Sequence, residues 1–287
     1  MRKGPIIIIG MHRSGTTMLT NILHNLGIFM GWRRSINEES WFFYFLNDWI
    51  FRQANATVDN TYNLKFVDRG FEEELIKILN KKLKGPFSLL FLGPNRFIRF
   101  IGDIKRIEGF WGWKEPKNSF TIDIWKKIFP NAKIIHIYRN PIDTAQSLRI
   151  REISFEKELR NKFFRRLIGK TTLLGNIINQ SLRFKNLEEN IKIWEDYVSN
   201  SIEICERYKN DSLTIKYEDF LDNPEENIVK ILKFIGKSVD REKILKEIKE
   251  IRADRKFAFI KDQELVKLYN KVRNKNLIKK LGYGSIL

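Results

Sequence analysis

The first strand-like run of the chain leads directly into a loop with two regularly spaced glycines. Residues 5–10 (PIIIIG) are typical of a buried parallel strand, and residues 16–27 (TTMLTNILHNLG) are typical of a helix. Gly10 and Gly15 enclose four residues, the spacing of the ATP-type loop GxxxxGK. Backbone N–H groups of such a turn, with the helix N-terminus, converge on an anion. The sequence therefore predicts an oxyanion site at the start of this helix.

The loop lacks the lysine that an ATP-binding loop carries. Thr16 stands in its place, and the positive charge lies three residues earlier, at Arg13. The hydroxyls of Thr16 and Thr17 can add donors for an oxyanion, but the lysine that reaches the β- and γ-phosphates of ATP is missing. A guanidinium suits a tetrahedral oxyanion that bridges two groups, without a metal. The loop thus disfavours an ATP or GTP hydrolase.

Further strand-like runs alternate with helical stretches along the chain. Residues 133–138 (KIIHIY) and 212–217 (SLTIKY) predict buried strands, and 87–92 (FSLLFL) is a weaker strand candidate that fits a buried helix equally well. The alternation predicts an α/β fold with a central parallel sheet flanked by helices. The helical stretches are 16–27, 68–84, 119–129, 141–151, 188–209 and 224–235.

No repeat or linker divides the chain, so we expect a single domain over residues 1–287. Two segments fit the alternation poorly: the aromatic-rich 31–66 and the charge-rich 152–187. We expect both to be acceptor-binding or lid insertions. The segment 152–187 also fits a surface helix or a basic amphipathic helix that touches a membrane.

The charge balance favours anionic ligands. Lys and Arg total 53 against 35 Asp and Glu, a net charge of +18, which suits a polyphosphate cofactor, an acidic glycan, nucleic acid or a membrane surface. Cys205 is the single cysteine, so the chain has no internal disulfide framework and no multi-thiolate metal site. Because the chain enters a strand almost at once and has no long apolar run, a cytoplasmic location is expected.

A second strand-to-helix junction repeats the anion-binding pattern. Arg139 lies at the carboxyl end of the strand 133–138, and Pro141 suits the first position of a helix. Ser147 and Arg151 are four residues apart and share a face of that helix. Ligands of open α/β sheets bind beyond the carboxyl ends of the strands. This junction therefore predicts a clamp for a second phosphate monoester.

These motifs together resemble those of the sulfotransferases that use 3′-phosphoadenosine 5′-phosphosulfate (PAPS). That resemblance implies a P-loop fold, a parallel sheet flanked by helices that is related to the fold of nucleotide kinases. RSGTT (13–17) is similar to the 5′-phosphosulfate loop of tyrosylprotein and many microbial sulfotransferases. YRNPIDTAQSLRIR (138–151) is similar to the 3′-phosphate motif, and WGWKEP (111–116) to the family's W-x-x-K-D/E-P segment. The run 212–235 resembles the family's later strand and helix.

The resemblance implies an in-line transfer of a sulfuryl group from PAPS to an acceptor, with no metal required. Arg13 and Lys114 would stabilise the charge that develops as the bond breaks. The residues implied to cradle the 5′-phosphate are Ser14, Gly15, Thr16 and Thr17. Those implied to hold the 3′-phosphate are Arg139, Ser147 and Arg151, and Tyr217 is a weaker candidate for a nucleotide contact.

The general base is left open by the sequence. In the related enzymes a glutamate lies somewhat beyond the first helix, where this chain has Glu38 and Glu39. Spacing does not choose between them, although we favour Glu39. His12 and His24 are alternatives, and His12 also fits a structural or cofactor contact within the loop. His136, within a buried strand, is expected in the core.

The acceptor is also open: a glycan, a lipid headgroup, a small alcohol or phenol, or a protein tyrosine. The C-terminal RKGxxGDWK motif of small-molecule sulfotransferases is absent. Two other functions compete: an ATP-dependent small-molecule kinase with an atypical phosphate loop, and a non-catalytic protein that binds polyanions through charge. We expect no specific nucleic-acid partner.

Overall fold

The computed structural model describes residues 3–161 and 181–287, and for 155–161 it describes the backbone alone. Residues 162–180 of the expected insertion at 152–187 lie outside the described residues. The strands are β1 (Ile6–Ile9), β2 (Gly112–Lys114), β3 (Lys133–Tyr138) and β4 (Ser212–Lys216). The helices are α1 (Thr16–Asn25), α2 (Trp41–Gln53), α3 (Arg69–Lys82), α4 (Leu89–Arg99), α5 (Asn118–Ile128), α6 (Pro141–Asn161), α7 (Leu187–Arg207), α8 (Tyr217–Asp222), α9 (Pro224–Ile235), α10 (Arg241–Lys249), α11 (Gln263–Val272) and α12 (Asn276–Lys280).

The four strands form one parallel sheet in the order β2-β1-β3-β4. Ile8 pairs with Lys114 on one side of β1, and Ile9 pairs with His136 on the other. Because all strands run the same way, their carboxyl ends meet at one edge, where the loop after β1 begins. The predicted fold class, a parallel sheet flanked by helices, is confirmed.

The alternation of side chains along β1 divides the core into two layers. Ile7 and Ile9 pack with Trp113 of β2 and with apolar residues of α2, α3, α4 and α5. Ile6 and Ile8 point to the opposite face and pack with residues of α1, α8, α9 and α10. Burial on both faces explains why β1 is a continuous run of isoleucines rather than an alternating pattern.

The described residues group into two compact units. The first comprises 1–138 and 197–256 and contains the sheet; the second comprises 139–196 and 257–287 and contains α6, α11 and α12. Within the second unit the amide of Asn190 donates to the carbonyl oxygens of Ala145 and Phe184, at 3.2 and 2.8 Å. The single domain over 1–287 stays a prediction.

The predicted strands differ from the observed strands at two places. The run 87–92 is not a strand: it begins with a 3-10 turn and continues into α4. It contains no β-branched residue, and its two phenylalanines, which favour strands, are offset by three leucines, which favour helices. Strand β2 was not predicted, because three residues are too few to show a period.

The segment 31–66 contains α2, a short 3-10 helix and a loop, 31–40, that enters the site described below. None of the helices in the described part of the chain is long and apolar enough to cross a membrane.

Candidate active site

The loop between β1 and α1 turns through backbone conformations that favour glycine. Gly10 and Gly15 have φ angles of 141° and 94°, and Arg13, between them, is left-handed at 71°. The Gly10 N–H donates to the Ser119 hydroxyl at 3.2 Å, which ties the loop to α5. A side chain at Gly15 would be strained at this φ and would also collide with a neighbouring ring.

That ring belongs to Tyr217, the first residue of α8. A Cβ atom built on Gly15 would lie 2.4 Å from Cδ2 of Tyr217, so the two residues are in direct contact. Tyr217 is buried against the sheet and α9. The structure therefore places the Tyr217 ring against the loop at Gly15, and its expected contact with a nucleotide stays a prediction.

The N-terminus of α1 is open to an anion. Its N-cap is Gly15, which has no side chain to accept from the first N–H groups, and its first turn contains no acidic residue. The hydroxyl of Ser14 is fully buried and has no hydrogen-bond partner among the described residues. Unsatisfied N–H groups, the helix dipole and a buried hydroxyl together fit a phosphate or sulfate oxygen.

Lys114 lies beside this loop because β2 pairs with β1. Its side chain is 2% exposed, and its ammonium donates to the Glu39 carboxylate and to the carbonyl oxygen of Asn37, both at 3.0 Å. Burial lowers the pKa of Lys114, the charge of Arg13 lowers it further, and Glu39 raises it. A cation this deeply buried is held in place by its carboxylate partner.

The structure separates the two candidate glutamates. Glu39 is buried, pairs with Lys114, and its Oε1 lies 3.7 Å from Nδ1 of His12. Glu38 has a left-handed backbone, with φ 62°, and pairs with Arg34 at 2.8 Å. Glu39 is thus joined to the lysine and histidine of the loop region, and Glu38 to an arginine of its own segment.

A single carbonyl connects three parts of this site. The carbonyl oxygen of Asn37 accepts from Lys114 and from the Thr17 hydroxyl, at 3.0 Å in both cases. The N–H of Ser40 donates to the carbonyl of Lys114 at 3.3 Å. The sequence gave no reason to select Asn37, because it contributes its main chain and not its side chain.

His24, the other histidine considered as a base, is not part of this cluster. Its Nδ1 lies 3.4 Å from the carbonyl oxygen of Ile28, at the far end of α1. Burial, with a contribution from Arg34, lowers its pKa. His136 is fully buried in β3, as expected, and burial lowers its pKa to about 3.

Sequence reasoning also missed a buried polar network behind Lys114. The Asn47 amide donates to Glu115 at 2.6 Å and to Asn118 at 2.8 Å, and its oxygen accepts from Thr121 and Trp125, both at 2.9 Å. Burial raises the pKa of Glu115 to about 7. An asparagine among the apolar residues of WFFYFLND was the available signal, because a buried amide needs partners.

The three residues of the predicted 3′-phosphate clamp all lie in the second unit. Arg139 is buried, and its guanidinium donates to Asp143 at 3.0 Å. Asp143 also accepts from the backbone N–H groups of Ala258 and Phe259, at 3.2 and 2.8 Å. Arg139, which the sequence predicts to bind a phosphate, thus already has a carboxylate partner in Asp143, and this pairing was not expected from the sequence.

Ser147 and Arg151 lie on α6 and are both half-buried. The Arg151 guanidinium lies 5.6 Å from the ring centre of Phe184. Their spacing of four residues places both side chains on one face of the helix.

Among the described residues, no cluster of three His, Cys, Asp or Glu could hold a metal ion.

The fold and the loop define an α/β protein with a strand–loop–helix, at the carboxyl edge of its sheet, whose helix N-terminus fits an anion. A model of the sulfotransferase family matches residues 5–241, and the chain belongs to that family. This confirms the resemblance drawn from the motifs. No protein with a curated description matches the chain by sequence.

Solved sulfotransferase structures are similar to the chain over most of its length. The sulfotransferase domain from the curacin biosynthetic pathway is 15% identical, with a TM-score of 0.50, over 95% of this chain and 92% of that one. The sulfotransferase domain from the Synechococcus PCC 7002 olefin synthase is 19% identical, with a TM-score of 0.47, over 90% and 80%. A sulfotransferase from Alicyclobacillus acidocaldarius is 16% identical, with a TM-score of 0.45, over 84% and 83%.

Proposed function

We propose that this sulfotransferase moves a sulfuryl group from PAPS to a hydroxyl or amine acceptor by in-line transfer, with protein cations in place of a metal. One observation carries the proposal: the buried ammonium of Lys114 joins the Glu39 carboxylate to the segment that also contacts Thr17 of α1. A cation and a carboxylate are thereby held together next to an open helix N-terminus. Such an arrangement can remove a proton from an acceptor and stabilise the negative charge of a transferred sulfuryl group.

The residues of the loop fit the 5′-phosphosulfate end of PAPS. The N-terminus of α1 and the buried Ser14 hydroxyl offer donors that the described residues do not satisfy. When bound, PAPS supplies the sulfuryl group and a phosphate leaving group. Gly15, Thr16 and Thr17 would hold the phosphate through their N–H groups, and Tyr217 would support the loop from behind.

Glu39 is the proposed general base. A carboxylate can accept the proton of an acceptor hydroxyl as its oxygen attacks, which contributes about 10²–10⁴-fold to rate in enzymes. Lys114 fixes the Glu39 carboxylate at 3.0 Å, and His12 lies 3.7 Å from the same oxygen. Glu38 is the weaker candidate because its carboxylate pairs with Arg34 of its own segment and not with Lys114 or His12 beside the loop.

Charge stabilisation falls to Lys114 and Arg13. Sulfuryl transfer spreads negative charge over the moving group and the leaving oxygen, so preorganised cations stabilise the transition state. Lys114 is buried and fixed, while Arg13 is exposed and carries a permanent charge. Lys114 would place a fixed positive charge beside the reacting group, and Arg13 is accessible to a ligand that enters from solvent.

For the 3′-phosphate we propose Arg139, Ser147 and Arg151. The half-buried Ser147 and Arg151 can contact a ligand directly. Arg139 shares its charge with Asp143, so we assign it a supporting part in this clamp. The three would distinguish PAPS from an analogue without a 3′-phosphate.

The test is calorimetric titration of the full chain with adenosine 3′,5′-bisphosphate, AMP and Mg·ATP. We expect the bisphosphate to bind at least 100-fold more tightly than AMP, and Arg151→Ala to remove most of that difference. Arg149→Ala is the matched control, because this neighbouring arginine is already paired with Glu264 at 2.9 and 3.0 Å. If Mg·ATP binds as tightly as the bisphosphate or more tightly, the result would instead favour an ATP-dependent small-molecule kinase.

A further inference from the structure

Four large apolar side chains are exposed on the chain segment that carries Glu39. Their exposed fractions are 44% for Trp32, 95% for Ile36, 39% for Trp41 and 45% for Phe45. We call these four residues the apolar rim. Exposed apolar residues are ordinary singly, but a group of them around one functional segment marks a ligand or partner surface.

Ile36 stands at the turn nearest the proposed chemistry. The turn is closed by the N–H of Glu38, which donates to the carbonyl of Ser35 at 2.9 Å. The next residue, Asn37, contributes the carbonyl that Lys114 and Thr17 both contact. The backbone at Ile36 is therefore fixed beside the Lys114–Glu39 pair, while its side chain is left in solvent.

Helix α2 adds an aromatic face two residues beyond Glu39. Trp41, Tyr44 and Phe45 lie at positions i, i+3 and i+4, which share one side of a helix. The rings of Trp41 and Phe45 stack at 5.6 Å with an interplanar angle of 27°. Tyr44 is half-buried between them and Lys117, whose ammonium lies 4.2 Å from the Tyr44 ring centre.

Four polar side chains of this segment, those of Arg33, Arg34, Ser35 and Glu38, already have partners within it. Arg34 pairs with Glu38 at 2.8 Å, and the Arg33 guanidinium stacks on the Trp32 ring at 4.4 Å. The hydroxyl of Ser35 accepts from the N–H groups of Asn37 and Glu39, both at 3.2 Å. A sugar acceptor needs several donors and acceptors from its site, whereas an apolar acceptor needs surface to cover.

We infer that the apolar rim is the acceptor subsite, and that it takes a neutral hydroxyl compound with an apolar body, such as a phenol or an alkyl alcohol. This inference rests on the proposed function and names its acceptor class. The rim would bind the body of the acceptor while Glu39 receives the proton of its hydroxyl. Covering one rim side chain improves binding by about tenfold.

The experiment compares 2-naphthol with methyl β-glucoside as acceptors for the full chain at saturating PAPS. We expect kcat/KM to be at least 100-fold higher for 2-naphthol. Ile36→Ser and Phe45→Ser should each raise its KM about tenfold and leave kcat within twofold. Val229→Ser is the matched control, because Val229 is a 46% exposed aliphatic residue on α9, outside the segment. Thermal unfolding checks that each variant is folded.

Equilibrium dialysis of 2-naphthol, with adenosine 3′,5′-bisphosphate present, separates this inference from the proposed reaction. Weaker binding of 2-naphthol to Ile36→Ser and Phe45→Ser supports the apolar rim as the acceptor subsite. If these variants bind weakly and no acceptor is sulfated, the result counts against sulfuryl transfer and not against the rim. Unchanged binding in both variants, or a preference for the glucoside, overturns the rim as the acceptor subsite.

Discussion

Helices α1 and α6 both follow a strand of the sheet and an arginine-bearing junction, yet their first turns differ in charge. The N-cap of α1 is Gly15, with no side-chain cap and no acid in the first turn. In α6 the side chain of Asn140 accepts from the N–H of Asp143 at 2.8 Å, and Asp143 places a carboxylate in the first turn. The N-terminus of α1 has no side-chain cap, whereas the N-terminus of α6 is capped by Asn140.

The difference shows where each helix can hold an anion. An open N-terminus binds a phosphate through main-chain N–H groups and the helix dipole. At α6 the Asn140 side chain accepts from the Asp143 N–H and the Asp143 carboxylate adds a negative charge to the first turn, so we expect a phosphate to be held by side chains further along, such as Ser147 and Arg151. Similar strand–arginine–helix sequences thus give a main-chain site in one case and a side-chain site in the other.

The largest expected effect lies at the α1 end. Glu39→Gln should lower kcat by about 10²–10⁴-fold because the proposed base is lost, while Glu38→Gln should change kcat less than fivefold because Glu38 pairs with Arg34 of its own segment and not with Lys114. Steady-state sulfation assays at saturating PAPS measure both. A larger loss in Glu38→Gln than in Glu39→Gln would reverse the assignment of the base.

At α6, the effect should appear first in stability. Arg139→Ala leaves the buried Asp143 without its cation, and we expect it to lower the free energy of unfolding by about 3 kcal/mol. Arg151→Ala should lower it by less than about 1 kcal/mol, because Arg151 is only half-buried. Urea unfolding checks both. An Arg139→Ala protein of normal stability that fails to bind the bisphosphate would make Arg139 a direct ligand.

Placing a carboxylate in the first turn of α1 should make it resemble α6. Thr17→Asp is expected to weaken binding of adenosine 3′,5′-bisphosphate by about 10–100-fold relative to Thr17→Asn, which has the same shape without the charge. Calorimetry at two salt concentrations measures the difference, which should shrink as salt rises. Equal affinities of the two variants would mean that no anion is held at this helix start.

The strands that lead to the two helices differ as well, and this gives the smallest effect. β1 is four isoleucines, whereas β3 contains the buried His136, whose pKa is about 3. The unfolded chain binds a proton at this residue near pH 6.5. Its contribution to stability is therefore complete above pH 6.5 and is lost as the pH falls toward 3.

His136→Leu removes this proton linkage. Between pH 7 and pH 5 the wild-type protein should lose about 2 kcal/mol more than the variant. Urea unfolding at the two pH values measures this difference. Parallel losses in the two proteins would show that His136 is protonated within the fold.

Much of the fold was predictable because its signals are local. The runs 133–138 and 224–235 match β3 and α9 to the residue, since β-branched composition marks the strand, and Pro224 and Gly236 bound the helix. For the run 87–92 the sequence left strand and buried helix open, because its apolar residues carry no period that separates the two. Strand β2 is defined by its pairing with β1, which a sequence window does not contain.

Motifs in the sequence named side chains whose own chemistry suits the site. The roles of Arg13 and Lys114 stay predictions, as does the preference for Glu39 over Glu38, which the pairing with Lys114 supports. Asn37 was not predictable, because it acts through its carbonyl. Asp143 was visible in the sequence, but its pairing with Arg139 depends on how α6 begins.

The loop that carries Glu39 is attached to its surroundings mainly by main-chain atoms. Trp32 N–H bonds to the carbonyl of Phe91, Ser40 N–H to that of Lys114, and Asn37 contributes its carbonyl. Backbone contacts survive most side-chain replacements. Natural variation can therefore exchange the exposed side chains of this loop, which we propose to contact the acceptor, without displacing the backbone that holds Glu39 and Lys114, and this suits the loop to changes in acceptor specificity.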